Sequence, residues 1–210
     1  MKVYMPEKDD EFLTVKGAVR SILPFVNPKW RVWCPFDREY SAYVRILREH
    51  GCEVIFSHID VMFPATGKTG DFFSLAADPP FKYDAIISNP PYTLKREILE
   101  KCGRLGKPFA LLMPSNYTLS GSTFDTMSNP QYGVHFIWFR RRWQFYKYNA
   151  EKKRFEICVD KFGNKANSPL ATIYFCGNGF LHSDAYVNNG NRIDLEAEIN
   201  GDIFERSGVA

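Results

Sequence analysis

The chain has no long apolar run. No stretch approaches the ~20 apolar residues of a membrane-spanning helix, and no basic stretch followed by an apolar core opens the sequence. The expectation is a soluble, cytoplasmic protein. Cysteine is scattered rather than patterned: Cys34, Cys52, Cys102, Cys158 and Cys176 form no C-x-x-C pair, and the four histidines are equally dispersed. That leaves no basis for a zinc ribbon or a disulfide framework, so no metal is expected and a reducing compartment is. Charge of one sign is lacking too. A net charge of +3 and a pI near 8.5 are compatible with nucleic acid but do not argue for it. Internal repeats and low-complexity tracts are absent. What remains is 45% hydrophobic content with 18 Phe and 11 Tyr in 210 residues, enough for the core of one domain, with room for a small appendage.

Apolar runs of strand length alternate with helix-like segments. Residues 31–34 read as a strand, and 38–50 as a helix with Tyr40, Val44 and Leu47 on one face and Gly51 as its stop. Residues 53–57 and 84–88 are further strands. A helix follows over 95–103, with Ile98, Leu99 and Cys102 on one side. Residues 109–113 form a strand between Pro108 and Pro114. Strand, helix, strand, repeated, predicts an α/β fold with a mostly parallel sheet and helices on its faces. Two late strands, 134–139 and 171–176, have no helix between them and predict an antiparallel pair at the sheet edge.

The strand at 84–88 stops at Asn89-Pro90-Pro91-Tyr92. An exocyclic amine of a base is a poor nucleophile, because its lone pair is spread into the ring. The Asn89 side-chain oxygen and the Pro90 carbonyl can both accept its N–H hydrogens, drawing the nitrogen towards a tetrahedral shape. Pro90 and Pro91 fix φ and remove two backbone donors, and Pro90 holds Asn89 extended. Tyr92 offers a flat face for a base taken out of its stack. The bland alternative is a rigid strand-to-helix corner without chemistry. Two further segments have similar composition. Asp78-Pro79-Pro80-Phe81 leaves too little chain before the next strand for a parallel crossover. Asn129-Pro130-Gln131-Tyr132 has no strand before it. Both read as turns.

The corner resembles the (Asp/Asn/Ser)-Pro-Pro-(Tyr/Phe/Trp) signature of S-adenosylmethionine-dependent amino-methyltransferases, with Asn and Tyr most like the N6-adenine branch. Three other segments occur with it in order: Val32-Trp33-Cys34-Pro35-Phe36-Asp37, Val54-Ile55-Phe56-Ser57-His58-Ile59 and Gly70-Asp71-Phe72-Phe73. As a set, spanning roughly residues 12 to 177, they resemble small adenine-methyltransferase-like proteins common in phages and mobile elements. The resemblance implies a class I, Rossmann-like methyltransferase fold with a seven-stranded, mostly parallel sheet and S-adenosylmethionine as cofactor, in a bacterial or phage-infected cell. It places Cys34, Pro35, Phe36 and Asp37 along the methionine part of that cofactor. Asp37 also suits an N-cap for a helix starting at Arg38. His58 and Ile59 fall where a ribose-binding acid usually stands, with Asp60 two residues on as the rival for that role. Asp71 matches the carboxylate that accepts from the cofactor's adenine amino group, beside Phe72, although core packing also suits one of Phe72 and Phe73. Thr14, with Ala18, Val19 and Leu23, matches the helix that approaches the cofactor's carboxylate. One departure is plain: the turn after the first strand contains no glycine, where most methyltransferases have a Gly-rich loop.

Residues 138–155 interleave Arg140, Arg141, Arg142, Lys147, Lys152, Lys153 and Arg154 with aromatics, and Glu151 is the only acid there. Cations neutralise phosphate and aromatic faces stack on unpaired bases, so the stretch suits nucleic acid; a solvated strand-loop face is the competing reading. The resemblance sets an aromatic opposite Tyr92 against a flipped adenine, either Phe145 or Trp143, with Arg140, Arg141 and Arg142 on backbone phosphates. Residues 1–180 are thus expected to form the methyltransferase domain, with 115–168 carrying recognition alone or with a second copy or partner subunit. Residues 181–210 form an acidic peripheral tail. The expected activity is methyl transfer to adenine N6 in DNA. RNA as the acceptor, or a non-catalytic nucleic-acid-binding module on the same scaffold, are the alternatives.

Overall fold

A computed structural model of the chain describes residues 14–64, 68–77, 79–140, 143, 145–149, 154–157 and 172–187. A short helix α1 (Lys16–Arg20) precedes β1 (Arg31–Cys34), and α2 (Ala42–Glu49) leads to β2 (Glu53–Phe56). A small hairpin of β3 (Met62–Phe63) and β4 (Lys68–Thr69) and the single turn α3 (Phe72–Leu75) come before β5 (Ala85–Ser88). Next are α4 (Lys95–Arg104), β6 (Phe109–Pro114), α5 (Gly121–Met127) and β7 (His135–Phe139). A second hairpin, β8 (Tyr146–Asn149) with β9 (Arg154–Ile157), separates β7 from β10 (Thr172–Gly177) and the last strand β11 (Ala185–Val187).

Seven strands form one sheet in the order β11-β7-β10-β6-β5-β1-β2. β1, β2, β5 and β6 run parallel, β10 runs against both β6 and β7, and β11 is parallel to β7. β7 therefore points the same way as β6. Helical crossovers between parallel strands put helices on both faces, so β5 and β6 are buried along their whole length.

Alternation along these strands builds two cores. Val32, Cys34, Ile87, Ala110 and Leu112 face one layer with α1 and α2. Trp33, Ile86, Phe109, Leu111 and Met113 face the other with α3 and α4. Ile98, Leu99 and Cys102 of α4 are buried as their spacing predicts.

The structure amends the sequence reading in three places. The expected antiparallel pairing of the two late strands is present, between β10 and β7, but it is not the edge. Ala185–Val187, expected in a peripheral tail, covers the outer side of β7. Asp184 anchors it by accepting from the Phe136 N–H at 2.9 Å and from Trp138 Nε1 at 3.1 Å, which leaves β7 no exposed edge on that side. Residues 188–210 lie outside the described residues. The helix expected over 38–50 begins only at Ala42, so Tyr40 sits in a turn, 62% exposed, and Tyr43 takes its place on the buried face. Asp37 consequently caps no helix. Gly51 does end α2, at φ +108°, a conformation that disfavours any residue with a Cβ.

Candidate active site at the carboxyl edge of the sheet

The strand order reverses between β1 and β5, and in an open α/β sheet a ligand crevice lies outside the carboxyl ends of the strands at such a point. Three chain segments converge there. From β1 comes Pro35-Phe36-Asp37, from β2 Ser57-His58, and from β5 Ser88 with the Asn89–Tyr92 corner.

The first two segments are stitched by backbone. The Ser57 N–H donates to the Cys34 carbonyl at 3.1 Å, and the Asp37 N–H to the Ser57 carbonyl at 3.2 Å. Trp33 Nε1 donates to Ser57 Oγ at 3.1 Å. Gly70 then lets the next segment approach. A Cβ there would lie 2.8 Å from the His58 nitrogen and 2.9 Å from its carbonyl oxygen, so only glycine fits and Asp71 is brought to the end of β2.

Asp37 is 7% exposed and accepts a short hydrogen bond from Ser88 Oγ. Burial raises its carboxyl to about pH 6, against the lowering effect of hydrogen bonds from Ser88 and Ser41. No cation among the described residues pairs with it; the neighbouring Arg38 instead bridges to Asp60 at 3.0 Å. A phenol pair lies nearby. Tyr43 donates to the Tyr174 hydroxyl at 2.9 Å, which donates to the Ala18 carbonyl at 3.1 Å. Burial holds both phenols protonated, and the charge of Asp37 nearby acts in the same direction.

At the corner, Asn89 is half-buried and its Oδ1 accepts from the Tyr92 hydroxyl at 3.0 Å. Tyr117, just after β6, donates its hydroxyl to the Tyr92 carbonyl at 3.2 Å. Its ring meets Tyr92 edge-on at 6.3 Å, and Lys95 Nζ lies 4.1 Å from the Tyr117 ring centre.

The expected site residues divide. Asp37, His58, Asp71 and Asn89–Tyr92 stand at one edge, as do the backbone of Cys34, Pro35 and Phe36 and the half-buried Ile59. His58 Nδ1 accepts from the Asp60 N–H at 3.2 Å, so a neutral ring carries its proton on Nε2, a donor. Asp60 is engaged by Arg38 at 3.0 Å. Asp71 spends one oxygen capping α3 through the Ser74 N–H at 2.9 Å. Thr14 is half-buried just ahead of α1.

Two aromatics are placed otherwise than expected. Phe72 is 2% exposed against Trp33, Phe36 and Phe73, so it is core and Phe73 is the half-buried one. Phe145 is 3% exposed within the α1–α2 core, because the chain folds back over α1 after β7, and it offers no face to a base. Trp143 lies across Gly17, where a Cβ would come within 2.7 Å of its ring. Its indole N–H is buried without a hydrogen-bond partner among the described residues. Arg140 is exposed at the end of β7; Arg141 and Arg142 lie outside the described residues. Of the two look-alike segments, Asn129–Tyr132 is a turn closed by Asn129 Oδ1 accepting from the Gln131 N–H at 3.0 Å. Asp78 lies outside the described residues.

Ser57, Ser88, Tyr43, Lys95 and Tyr117 were not singled out by sequence. Ser88 alone carried a signal: a hydroxyl closing an otherwise apolar strand run, one residue before the corner.

No protein-family model matches the chain, and no curated protein matches it. Among solved structures it is similar to a precorrin-6y C5,15-methyltransferase from Geobacter metallireducens GS-15, at 15% identity and a TM-score of 0.40, covering 81% of this chain and 93% of that one. At that score the likeness transfers no chemistry. The topology stands on its own: an open Rossmann-like sheet reversing between β1 and β5, with one antiparallel strand set between β6 and β7, is the class I methyltransferase fold. No helix among the described residues is long and apolar enough to cross a membrane.

Proposed function

We propose that the chain is an S-adenosylmethionine-dependent methyltransferase acting on the N6 amino group of adenine in DNA. The observation that carries this reading is Asn89. It stands at the carboxyl end of β5, beside the strand reversal, with its side-chain oxygen held to a hydroxyl donor rather than sealed in the core. The Tyr92 hydroxyl stands 3.0 Å from the Asn89 oxygen, in the donor position that an incoming amine would take. A base entering the crevice therefore exchanges one donor for another, and Asn89 keeps a hydrogen bond throughout.

The residues fit a cationic cofactor. Asp37 is a buried carboxylate with no described cation paired to it, and a positive ligand group would offset its desolvation. When bound, the cofactor supplies an electrophilic methyl on a sulfonium. The chain supplies position: Asn89 and the Pro90 carbonyl orient the amine, Tyr92 supports the base, and proline stiffness keeps the acceptors aimed. Orientation and fixed dipoles carry the rate.

Nucleic acid as acceptor is supported by where the basic-aromatic stretch leaves the sheet. β7 is parallel to β6, so Arg140 and the β8–β9 hairpin depart from the same carboxyl edge as Asn89. With Phe145 in the core, the second face of the base falls to another aromatic.

The test is methylation of a plasmid library and of structured RNA by the purified chain, read by modification-sensitive sequencing. Adenine methylation of DNA by the wild type and none by Asn89→Ala is expected, with cofactor binding within a few-fold. Undiminished transfer by Asn89→Ala removes the mechanism. A second reading, a nucleic-acid-binding scaffold without catalysis, is favoured by the glycine-free turn after β1 and the burial of Phe145. Calorimetry with S-adenosylmethionine separates the two, since such a scaffold gives no saturable heat.

A further inference from the structure

A side-chain hydrogen bond spans the reversal of the sheet. Ser88 Oγ, at the end of β5, donates to Asp37 Oδ2, three residues beyond β1 and 51 positions away in sequence. Both residues are buried. Ser88 is joined to Asn89 by one peptide bond, and Pro90 and Pro91 restrict the chain immediately after it. A shift of the Asp37 carboxylate therefore has one short path to the Asn89 oxygen, through an element with little freedom to absorb it.

We propose that Ser88 is a positioning residue: its clasp on Asp37 fixes Asn89 relative to the donor half of the crevice, and the clasp is tightest while Asp37 is ionised. The inference rests on the functional reading above and deepens it to regulation of the same site. An ionised Asp37 accepts from Ser88 and attracts a cationic ligand; a protonated one does neither as well.

The groups facing Asp37 leave it as the titrating centre. Cys34 on β1, Tyr43 on α2 and Tyr174 on β10 all sense its charge, and burial holds each of them neutral through the physiological range. Ser41 donates to it, and Arg38 is turned to Asp60. His58, next to the Ser57 carbonyl that receives the Asp37 N–H, accepts from the Asp60 N–H through Nδ1 and is the imidazole beside the clasp.

The experiment compares wild type, Ser88→Ala and Asp37→Asn between pH 5 and 8. Cofactor binding is followed by calorimetry, transfer by kcat and KM, and the Asp37 carboxyl by carbon NMR of the free protein, with thermal unfolding to verify folding. Ser88→Ala is expected to bind cofactor within a few-fold at pH 8 while kcat falls by about ten-fold or more. The acid limb of its profile and its Asp37 titration should both move up by roughly half a pH unit or more, because a bond favouring the carboxylate is gone. Asp37→Asn should lack that limb and bind cofactor at least about ten-fold more weakly at pH 8. Saturable cofactor heat together with a wild-type kcat and acid limb in Ser88→Ala overturns the inference alone. So does an acid limb that persists in Asp37→Asn, which would assign it to His58. Absence of cofactor heat in the wild type at every pH overturns the functional reading, and the clasp with it.

Discussion

The two ends of the sheet satisfy their polar groups in opposite ways. At the amino end, Asn178 turns the chain at φ +54° after β10. Its N–H donates to the Tyr132 carbonyl at 2.6 Å, and its Nδ2 lies 3.0, 3.1 and 3.1 Å from the carbonyls of Cys102, Gly103 and Lys107. Two of the last carbonyls of α4, Cys102 and Gly103, thus meet one side-chain amide. Gly103 and Gly177 admit the Tyr132 and Phe109 rings at distances no Cβ would allow.

At the carboxyl end, Asp37, Ser57 and Ser88 are buried among β1, β2 and β5. A carboxylate lies there with no described cation paired to it, and the Asn89 oxygen is met by the hydroxyl of the half-buried Tyr92. The amino end is built to stay closed. The carboxyl end carries unrelieved desolvation that a ligand of the right charge can relieve, which is how a site gives up stability for function.

The largest effect that would sharpen this contrast is on activity alone. Asn89→Ala should lower adenine methylation by more than about a hundred-fold while moving the melting midpoint by no more than about 2 °C. A large loss of stability would place Asn89 with the structural residues instead.

Next is Asp37→Asn, which should stabilise the free protein by up to about 3 kcal/mol at pH 8, taking a carboxyl raised from 3.8 to about 6. The sign follows from proton binding. Between those values the native state holds a proton that the unfolded state has lost, so wild-type stability falls as pH rises through that window. The advantage of Asp37→Asn should therefore vanish by about pH 4, as read by thermal unfolding across pH.

At the other end, Gly177→Ala forces a Cβ to within 2.4 Å of the Phe109 ring. It should destabilise by about 2 kcal/mol in urea, with cofactor binding by the folded fraction unchanged. The smallest effect is Tyr92→Phe. Freed of the hydroxyl, Asn89 no longer has to exchange donors, and the KM for nucleic acid should fall by about two-fold, a change of under 1 kcal/mol.

Much of the scaffold was legible because it is local. Alternation of Val32, Trp33 and Cys34 marks a strand buried on both faces, Ile98, Leu99 and Cys102 mark one helical face, and Gly51 marks a stop. The Asn-Pro-Pro-Tyr corner was distinguishable from its two look-alikes because Asp78–Phe81 leaves too little chain for a crossover and Asn129–Tyr132 has no strand before it. The burial of Phe145 was not legible. A basic-aromatic stretch looks the same whether its rings meet a base or a core, and only the return of the chain over α1 separates the two. The exposure of Tyr40 was not legible for a related reason: its spacing to Val44 and Leu47 fits their helical face, but the helix starts only at Ala42 and leaves Tyr40 in the turn before it.

By itself, then, the order of residues determined which segments are strands, which corner is stiff, and which side chains can accept from an amine. Those properties depend on neighbours within a few positions. The tertiary structure decided that β5 lies beside β1, that Ser88 reaches Asp37, that Ala185–Val187 covers β7, and that Phe72 and Phe145 are core. Each of those outcomes is set by burial of surface between segments distant in sequence, a competition that no local pattern records.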